Sequence, residues 1–291
     1  MLQKTKDCLL IFTCLFAIVS CTQAEEADRS SSEISATEDR LALLEKNPDA
    51  HPLIVVRLLK FKRNDGLKQY EDFLESYLPL LRELGGEFLF LGSATPYKLD
   101  YESSHELFGL KQNPWDLLVI ERFRSRKDLR RLGDMKVYQE AESGLHAQLE
   151  DIAIHALNGT LHGGNGRSWA DTVVAPEFPD GDELFEINLL QFKPNGGEAK
   201  YYKEYAREVL PMISHAGAKV IYGLKAELML AGEERYDRVV LVMYPSEKAF
   251  HQMVMSEAYQ AISPNREDAL EVGHLFGFRN AGRRLKRMQQ E

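Results

Sequence analysis

The feature that most constrains this chain is an internal repeat that covers most of its length. The segment 57–62 (RLLKFK) is matched 131 positions later by 188–193 (NLLQFK), and Leu78-Pro79 is matched 132 positions later by Leu210-Pro211. Further matches follow at a spacing of 121: Trp115-Asp116 with Tyr236-Asp237, Tyr138-Gln139 with Tyr259-Gln260, and Leu149 with Leu270. Matches in one constant order with one gap are hard to obtain by chance, so the chain contains a duplication.

Each copy has the pattern of a β-α-β-β-α-β unit. In the first copy, Leu53–Phe61 is β-branched and aliphatic and predicts a strand, and apolar residues then recur at helical spacing until Gly85-Gly86 end the helix. The other predicted strands are 87–91, 115–123 and 151–157 in the first copy and 185–192, 219–223, 236–244 and 272–278 in the second, whose long helix is predicted at 199–215.

One such unit leaves an apolar sheet face uncovered, whereas two units in one chain can cover each other. We therefore predict an α+β fold in which two ferredoxin-like βαββαβ repeats, 51–158 and 183–280, pack as a pseudo-dimeric α+β barrel. The segment 159–182 is predicted to be a linker, and the protein is expected to be a monomer because its dimer-like interface is internal.

Motifs in both copies point to a known family. The second copy contains 236–250 (YDRVVLVMYPSEKAF), 256–260 (SEAYQ) and Arg266. The first copy adds the following pairs: Leu78-Pro79, Gly85-Gly86, Trp115-Asp116 and Tyr138-Gln139. These segments resemble the "domain of unknown function 1330" branch of the dimeric α+β barrel superfamily. The resemblance implies a tandem pseudo-dimer, and the family has no settled reaction.

The chain departs from this family at positions that carry arginine elsewhere. The family usually places an arginine before a glycine pair at the end of the second strand, where this chain has Leu91-Gly92-Ser93 and Tyr222-Gly223-Leu224. The first copy also has Leu145 where the second has Arg266. Chemistry that depends on those arginines is therefore in doubt, above all in the first copy.

The N-terminus has the pattern of a lipoprotein signal. Two lysines precede an apolar stretch at 9–19, which is too short to span a bilayer as a helix, and Ile18-Val19-Ser20-Cys21 resembles a lipobox. We predict a signal peptide over 1–20, lipidation of Cys21 and a flexible tether over 21–50, with one or two helical turns around 38–46. The alternative is an ordinary secretory signal followed by a coincidental cysteine.

The lipid would anchor the protein to a membrane of the cell envelope. By resemblance to the sorting signals of Gram-negative lipoproteins, Thr22, which is not an aspartate, implies the outer rather than the inner membrane, at its periplasmic face. The net charge of -9 argues against nucleic acid as a partner, because phosphate contacts require a basic stripe. The basic tail 281–291 is interpreted as solvated, with attraction to anionic lipid headgroups as the alternative.

Several kinds of chemistry are excluded by residue type and spacing. Cys8 and Cys14 lie in the predicted signal peptide and Cys21 would be lipidated, which leaves no thiol for catalysis or metal binding. The eight histidines occur singly, without metal-ligand spacing, and neither HExxH nor GxSxG occurs. We therefore predict no metal site and no cofactor.

Polar residues on strands that should be buried on both faces are the first candidates for ligand binding. Arg57 and Asn188 occupy the same place in the first strand of each copy. A buried arginine must be paired or lie beside a cavity, so an ion pair with Glu121 or Asp116 and a ligand-binding role both remain open.

Further candidates lie on the predicted helices. Tyr138 and Tyr259 begin corresponding helices, where their phenols would hydrogen-bond a ligand or cap the core. His215 and His251 would act as bases near neutral pH or lie on the surface. Arg266 is the last of the candidates for ligand binding. The insertion at 97–114 is either a lid over a pocket or a surface embellishment.

Three functions are compatible with these features. The first is an envelope lipoprotein that binds a small apolar or aromatic molecule. The second, which rests on analogy with the superfamily, is a cofactor-independent monooxygenase or isomerase, and the third is a structural or interaction protein. A core without voids would favour the third, whereas a pocket shared by Asn188, Tyr259 and Arg266 would favour the first or second.

Overall fold

A computed structural model describes residues 39–47, 51–94, 113–159 and 181–282. The predicted signal peptide, Cys21, most of the tether, nearly all of the insertion and linker, and most of the basic tail lie outside these residues. Within the described residues, every helix is too short or too polar to cross a lipid bilayer.

The two repeats contain the same elements in the same order. The first comprises β1 (Leu53–Phe61), α1 (Gly66–Glu83), β2 (Glu87–Ala94), β3 (Leu117–Phe123), α2 (Arg126–Gly133), α3 (Lys136–His146) and β4 (Leu149–Asn158). The second begins with β5 (Leu184–Phe192) and a long helix, α4, which is α-helical at Gly197–Lys200, π-helical at Tyr201–Ala206 and α-helical at Arg207–His215. It continues with β6 (Lys219–Ala231), β7 (Arg238–Tyr244), α5 (Glu247–Val254), α6 (Glu257–Ala269) and β8 (Leu270–Asn280). The predicted pair of βαββαβ units is confirmed.

The eight strands close into one antiparallel barrel in the order β1-β3-β2-β8-β5-β7-β6-β4. The repeats meet at two seams, where β2 pairs with β8 and β4 pairs with β6. Inside the barrel, apolar side chains of both repeats, among them Ile54, Leu118, Ile187 and Leu241, pack into one cluster. Each repeat thus covers the apolar sheet face of the other, which confirms the pseudo-dimeric α+β barrel.

The helices cover the outer face of the sheet and form one further core in each repeat. In the first repeat, α1 buries Tyr70, Leu74 and Tyr77 against the sheet. In the second, α4 buries Tyr201 and Tyr205 against the corresponding strands. The region between helices and outer sheet face is therefore present twice, and the two copies can be compared directly.

The end of the predicted tether is part of the folded protein. Residues 39–45 are helical, and Leu44 is only 3% exposed. Nη1 of Arg40 donates a hydrogen bond to the carbonyl of Leu230 at 3.1 Å, and Nδ2 of Asn47 donates to Oε2 of Glu227 at 2.9 Å. Packing of Leu41 and Leu44 on the core explains why this short helix is docked on the domain.

Strand β6 extends well beyond the predicted 219–223, to Ala231. Its second half pairs with β4 across the seam, from Lys225 opposite Asn158 to Ala231 opposite Ile154. This half of the strand depends on a partner from the other repeat, which local sequence periodicity does not reveal.

Candidate functional site

A cavity of about 530 Å³ lies between the helices and the outer sheet face of the second repeat. Its floor is formed by strand residues that include Asn188, Gly223, Val240, Val242, Gly273 and Leu275. Its walls come from α4, α5 and α6 and include Tyr201, Tyr205, Val209, Phe250, Met253, Tyr259, Ser263 and Arg266. An apolar cleft of this size with a few polar groups has the character of a small-molecule site.

The corresponding region of the first repeat contains a buried ion pair. Arg57 is 6% exposed and its Nε donates to Oε2 of the fully buried Glu121 at 2.9 Å. Nη2 of Arg57 lies 3.4 Å from the hydroxyl of Tyr138, which donates to Oε1 of Glu142. Of the two roles considered for Arg57, the structure shows the ion pair, with Glu121 rather than Asp116. Tyr138 belongs to the same network.

Four replacements between the repeats make room for the cavity. In the second repeat, smaller residues replace larger ones: Asn188 for Arg57, Val242 for Glu121, Gly223 for Leu91 and Gly273 for Ile152. Because all four lie on strands with matching register, the backbone of the sheet is retained while side-chain volume is removed. The cavity is therefore a local change in a duplicated core.

Strand register corrects one alignment made from the sequence. Leu91 pairs with Val119 in the first repeat, and Gly223 pairs with the equivalent Val240 in the second. Gly223 therefore corresponds to Leu91, and the placement of Tyr222-Gly223-Leu224 against Leu91-Gly92-Ser93 was wrong by one residue. The cause is a one-residue insertion in the preceding helix, which changes the spacing between the repeats from 131 to 132.

That insertion coincides with the π-helical turn of α4. Tyr70 corresponds to Tyr201 at a spacing of 131, whereas Leu78 corresponds to Leu210 at 132, so the extra residue falls between them. The first repeat has one continuous α-helix here, and the second has the π-helix Tyr201–Ala206. A single inserted residue is commonly absorbed as a π-turn, and such turns are frequent at functional sites. Here the turn lines the cavity.

Tyrosine hydroxyls supply the polar groups on the helical side. The hydroxyl oxygens of Tyr205 and Tyr259 lie 3.2 Å apart, and both residues are less than 10% exposed. Burial raises the pKa of Tyr201 to about 12 and that of Tyr205 well above its usual value. Both phenols therefore stay protonated at neutral pH and can donate hydrogen bonds.

Arg266 supplies the positive charge of the cavity. A Cβ atom at Gly273 would lie 3.0 Å from Nη2 and 3.2 Å from Nη1 of Arg266, so the guanidinium occupies space that a side chain at 273 would need. Nη2 is buried and lacks a hydrogen-bond partner in the described part of the chain. The corresponding residues of the first repeat, Leu145 and Ile152, are both apolar.

The sequence-predicted candidates therefore separate into three groups. Asn188, Tyr259 and Arg266 line one cavity. Arg57 and Tyr138 form the buried network of the other repeat. Both candidate histidines lie away from the cavity lining: His215 is exposed at the end of α4, and His251 is half-buried on α5.

Sequence reasoning missed Tyr201, Tyr205, Gly223 and Gly273. The aromatic residues have the periodicity of ordinary core positions, and a glycine contributes through the side chain that it lacks. A comparison of side-chain size at equivalent positions of the two repeats would have identified them. Almost all of the insertion at 97–114 lies outside the described residues, and the lid hypothesis stays a prediction.

Across 39–47, 51–94, 113–159 and 181–282, histidine, cysteine, aspartate and glutamate side chains form no group of three or more that could hold a metal ion. The polar residues of the cavity lining are Asn188, the tyrosines, Ser263, Arg266 and Glu267.

Comparison with known proteins agrees with the fold. An anthrone oxidase-like protein of known structure is 11% identical, with 80% of this chain and 92% of that chain covered and a TM-score of 0.52. A protein of unknown function from Rhodopseudomonas palustris is 28% identical over 34% of this chain and 82% of its own, with a TM-score of 0.32. No curated protein matches the sequence significantly. The model of the family "Domain of unknown function (DUF1330)" matches residues 196–276, so the cavity-bearing second repeat is similar to that family.

Proposed function

We propose that this protein binds a small, largely apolar aromatic molecule in the cavity of its second repeat, while a lipid on Cys21 holds it to a cell-envelope membrane. The observation that carries the binding proposal is the contrast between the two repeats. In the first repeat this core holds the buried side chains of Arg57, Glu121 and Leu91, whereas in the second repeat a cavity lies at the equivalent positions. Loss of buried side-chain volume destabilises a protein, so a cavity at positions that carry larger side chains in the duplicate favours a functional role.

The lining determines the kind of molecule that fits. Aromatic and aliphatic side chains dominate it, and aromatic ligands gain from edge-to-face and offset contacts with such rings. Three lining residues are also exposed to solvent to an unusual degree for apolar side chains: Tyr202 at 41%, Leu210 at 50% and Val220 at 41%. These three residues form an apolar rim, which suits a ligand of low solubility in water.

Binding is favoured over catalysis by the residues of the lining. Among the described residues, the lining contains no histidine, and its one carboxylate belongs to the exposed Glu267. The pKa values of Tyr201 and Tyr205 are raised by burial, so these phenols are poor bases at neutral pH. A cofactor-independent monooxygenase or isomerase, which rests on analogy with the superfamily, is the second candidate, and turnover of a bound aromatic ligand would identify it. A purely structural role does not account for the cavity.

A cavity-filling variant tests the binding proposal. Gly223→Leu introduces the side chain that Leu91 carries at 1% exposure in the first repeat, and φ at Gly223 is not positive. We expect Gly223→Leu to weaken binding of 2-naphthamide and 2-naphthoate, measured by isothermal titration calorimetry, by roughly tenfold or more. The thermal midpoint should remain the same or rise, because the leucine fills a void.

Gly144→Leu is the matched control, since it adds the same atoms at an exposed glycine of α3 that has open space around it. Affinity in this control should equal that of the wild type. Wild-type affinity in a correctly folded Gly223→Leu variant would show that the ligand binds elsewhere.

A further inference from the structure

Within the described residues, Arg266 is a cation that forms no ion pair, and it lies in a largely apolar cavity wall. Its Nη2 atom is buried and has no hydrogen-bond acceptor within the described residues, and its side chain forms no ion pair there. The nearest carboxylate in sequence, that of Glu267, belongs to an exposed residue. A buried N–H donor of a charged group is costly unless an acceptor compensates it.

The position of this cation depends on a second difference between the repeats. Gly273 leaves the space that the guanidinium fills, since an added Cβ would come within 3.0 Å of Nη2. The first repeat has Leu145 and Ile152 at these two places, both packed on its apolar core. The arginine and the glycine thus form a matched pair, and both are needed to hold a positive charge against the sheet.

Phenols of the cavity place hydrogen-bond donors near Arg266. The pKa of Tyr201 is raised by burial, an effect that the nearby charge of Arg266 opposes. The phenol oxygens of Tyr205 on α4 and Tyr259 on α6 lie 3.2 Å apart in the helical wall of the cavity. A cation with phenol donors beside it is an electrostatic environment that favours an oxyanion.

We propose that the ligand of the second repeat is an aromatic carboxylate whose carboxylate pairs with Arg266 and whose ring lies among the aromatic side chains of the cavity. A guanidinium group is planar and has parallel N–H donors, which match the two oxygens of a carboxylate. The inference rests on the proposed function, because it specifies the ligand class of that same cavity.

Two probes of the same shape and different charge test this inference. Calorimetric titration of the full-length protein would compare 2-naphthoate, an anion at neutral pH, with 2-naphthamide, its neutral analogue. Charge-assisted hydrogen bonds are about twice as strong as neutral ones, so the wild type should bind the naphthoate about tenfold more tightly.

Arg266→Leu installs the residue that the first repeat has at this place, Leu145. In this variant the two probes should bind within about twofold of each other, with the affinity for the amide changed by no more than about threefold. Arg266→Lys should keep part of the preference, because it keeps the charge but loses the planar donor pair. Arg207→Leu is the control, since it removes one positive charge from an exposed position outside the cavity lining and should keep the full preference.

The outcomes separate this inference from the proposed function. Equal binding of the two probes by the wild type, or a preference that survives Arg266→Leu, would overturn the inference and leave the binding function in place. Failure of both probes to bind the wild type would overturn the inference together with the proposed function.

Discussion

Replacing Glu121 alone with leucine is expected to lower the free energy of unfolding by about 3–5 kcal/mol. The variant leaves the guanidinium of Arg57, 6% exposed, without its carboxylate partner at 2.9 Å. Glu142 does not replace that partner, because its Oε1 lies 3.8 Å from Nη1 of Arg57 and its side chain is 27% exposed. Urea denaturation followed by circular dichroism would measure the loss.

The double variant Arg57→Met/Glu121→Leu is the control for this prediction. It removes both charges and fills the space with apolar side chains, so its stability should return to within about 1 kcal/mol of the wild type or exceed it. Neither variant touches the second repeat, and binding of naphthalene probes should be unchanged in both. A loss below about 0.5 kcal/mol for Glu121→Leu would mean that the charge of Arg57 is compensated in another way.

Lowering the pH from 7 to 4 is expected to cost the wild type about 3 kcal/mol more than it costs a His155→Phe variant. His155 is 1% exposed, its Nε2 has no hydrogen-bond partner in the described part of the chain, and its ring packs 5.1 Å from that of Tyr236. Burial lowers the pKa of His155 from 6.5 to about 4.

The sign follows from proton binding in the two states. Between pH 6.5 and about 4 the unfolded chain binds a proton at His155 and the folded protein does not, so acid favours unfolding over this window. Phenylalanine should fit, because Phe276 occupies the corresponding place in the second repeat at 5% exposure. Equilibrium unfolding of both proteins at half-unit pH intervals would measure the difference.

His215→Phe is a matched control that makes the same replacement at an exposed position. A difference in stability between wild type and His155→Phe that stays constant from pH 7 to 4 would show that His155 does not titrate in this window. The comparison cancels the contributions of carboxylates that both proteins share.

The fold was largely predictable because its determinants are local and occur twice. The strand Leu53–Phe61 was predicted with its observed bounds, and the helix that ends before Gly85 was found from its apolar spacing. Pairing across the seams was not predictable in detail. Lys225–Ala231 becomes a strand because β4 lies beside it, and that neighbour belongs to the other repeat.

The cavity was predictable only in part. Asn188 was found because a polar side chain interrupts an apolar strand, and Arg266 was found from the family resemblance; the structure places both in the lining. The volume of the cavity could not be predicted from the sequence, because it results from the absence of side chains at Gly223 and Gly273. The one-residue insertion in α4 also displaced the alignment, so that Gly223 was compared with Gly92 rather than with Leu91.

The covalent connection of the two repeats has a consequence for how such a cavity can arise. In a symmetric homodimer of single βαββαβ units, every substitution appears in both subunits. A cavity would then form in both cores, and both would lose stability. A fused chain escapes this coupling. One repeat keeps the buried pair of Arg57 and Glu121 and maintains the shared barrel. The other repeat can lose buried side-chain volume and so become specific for a ligand.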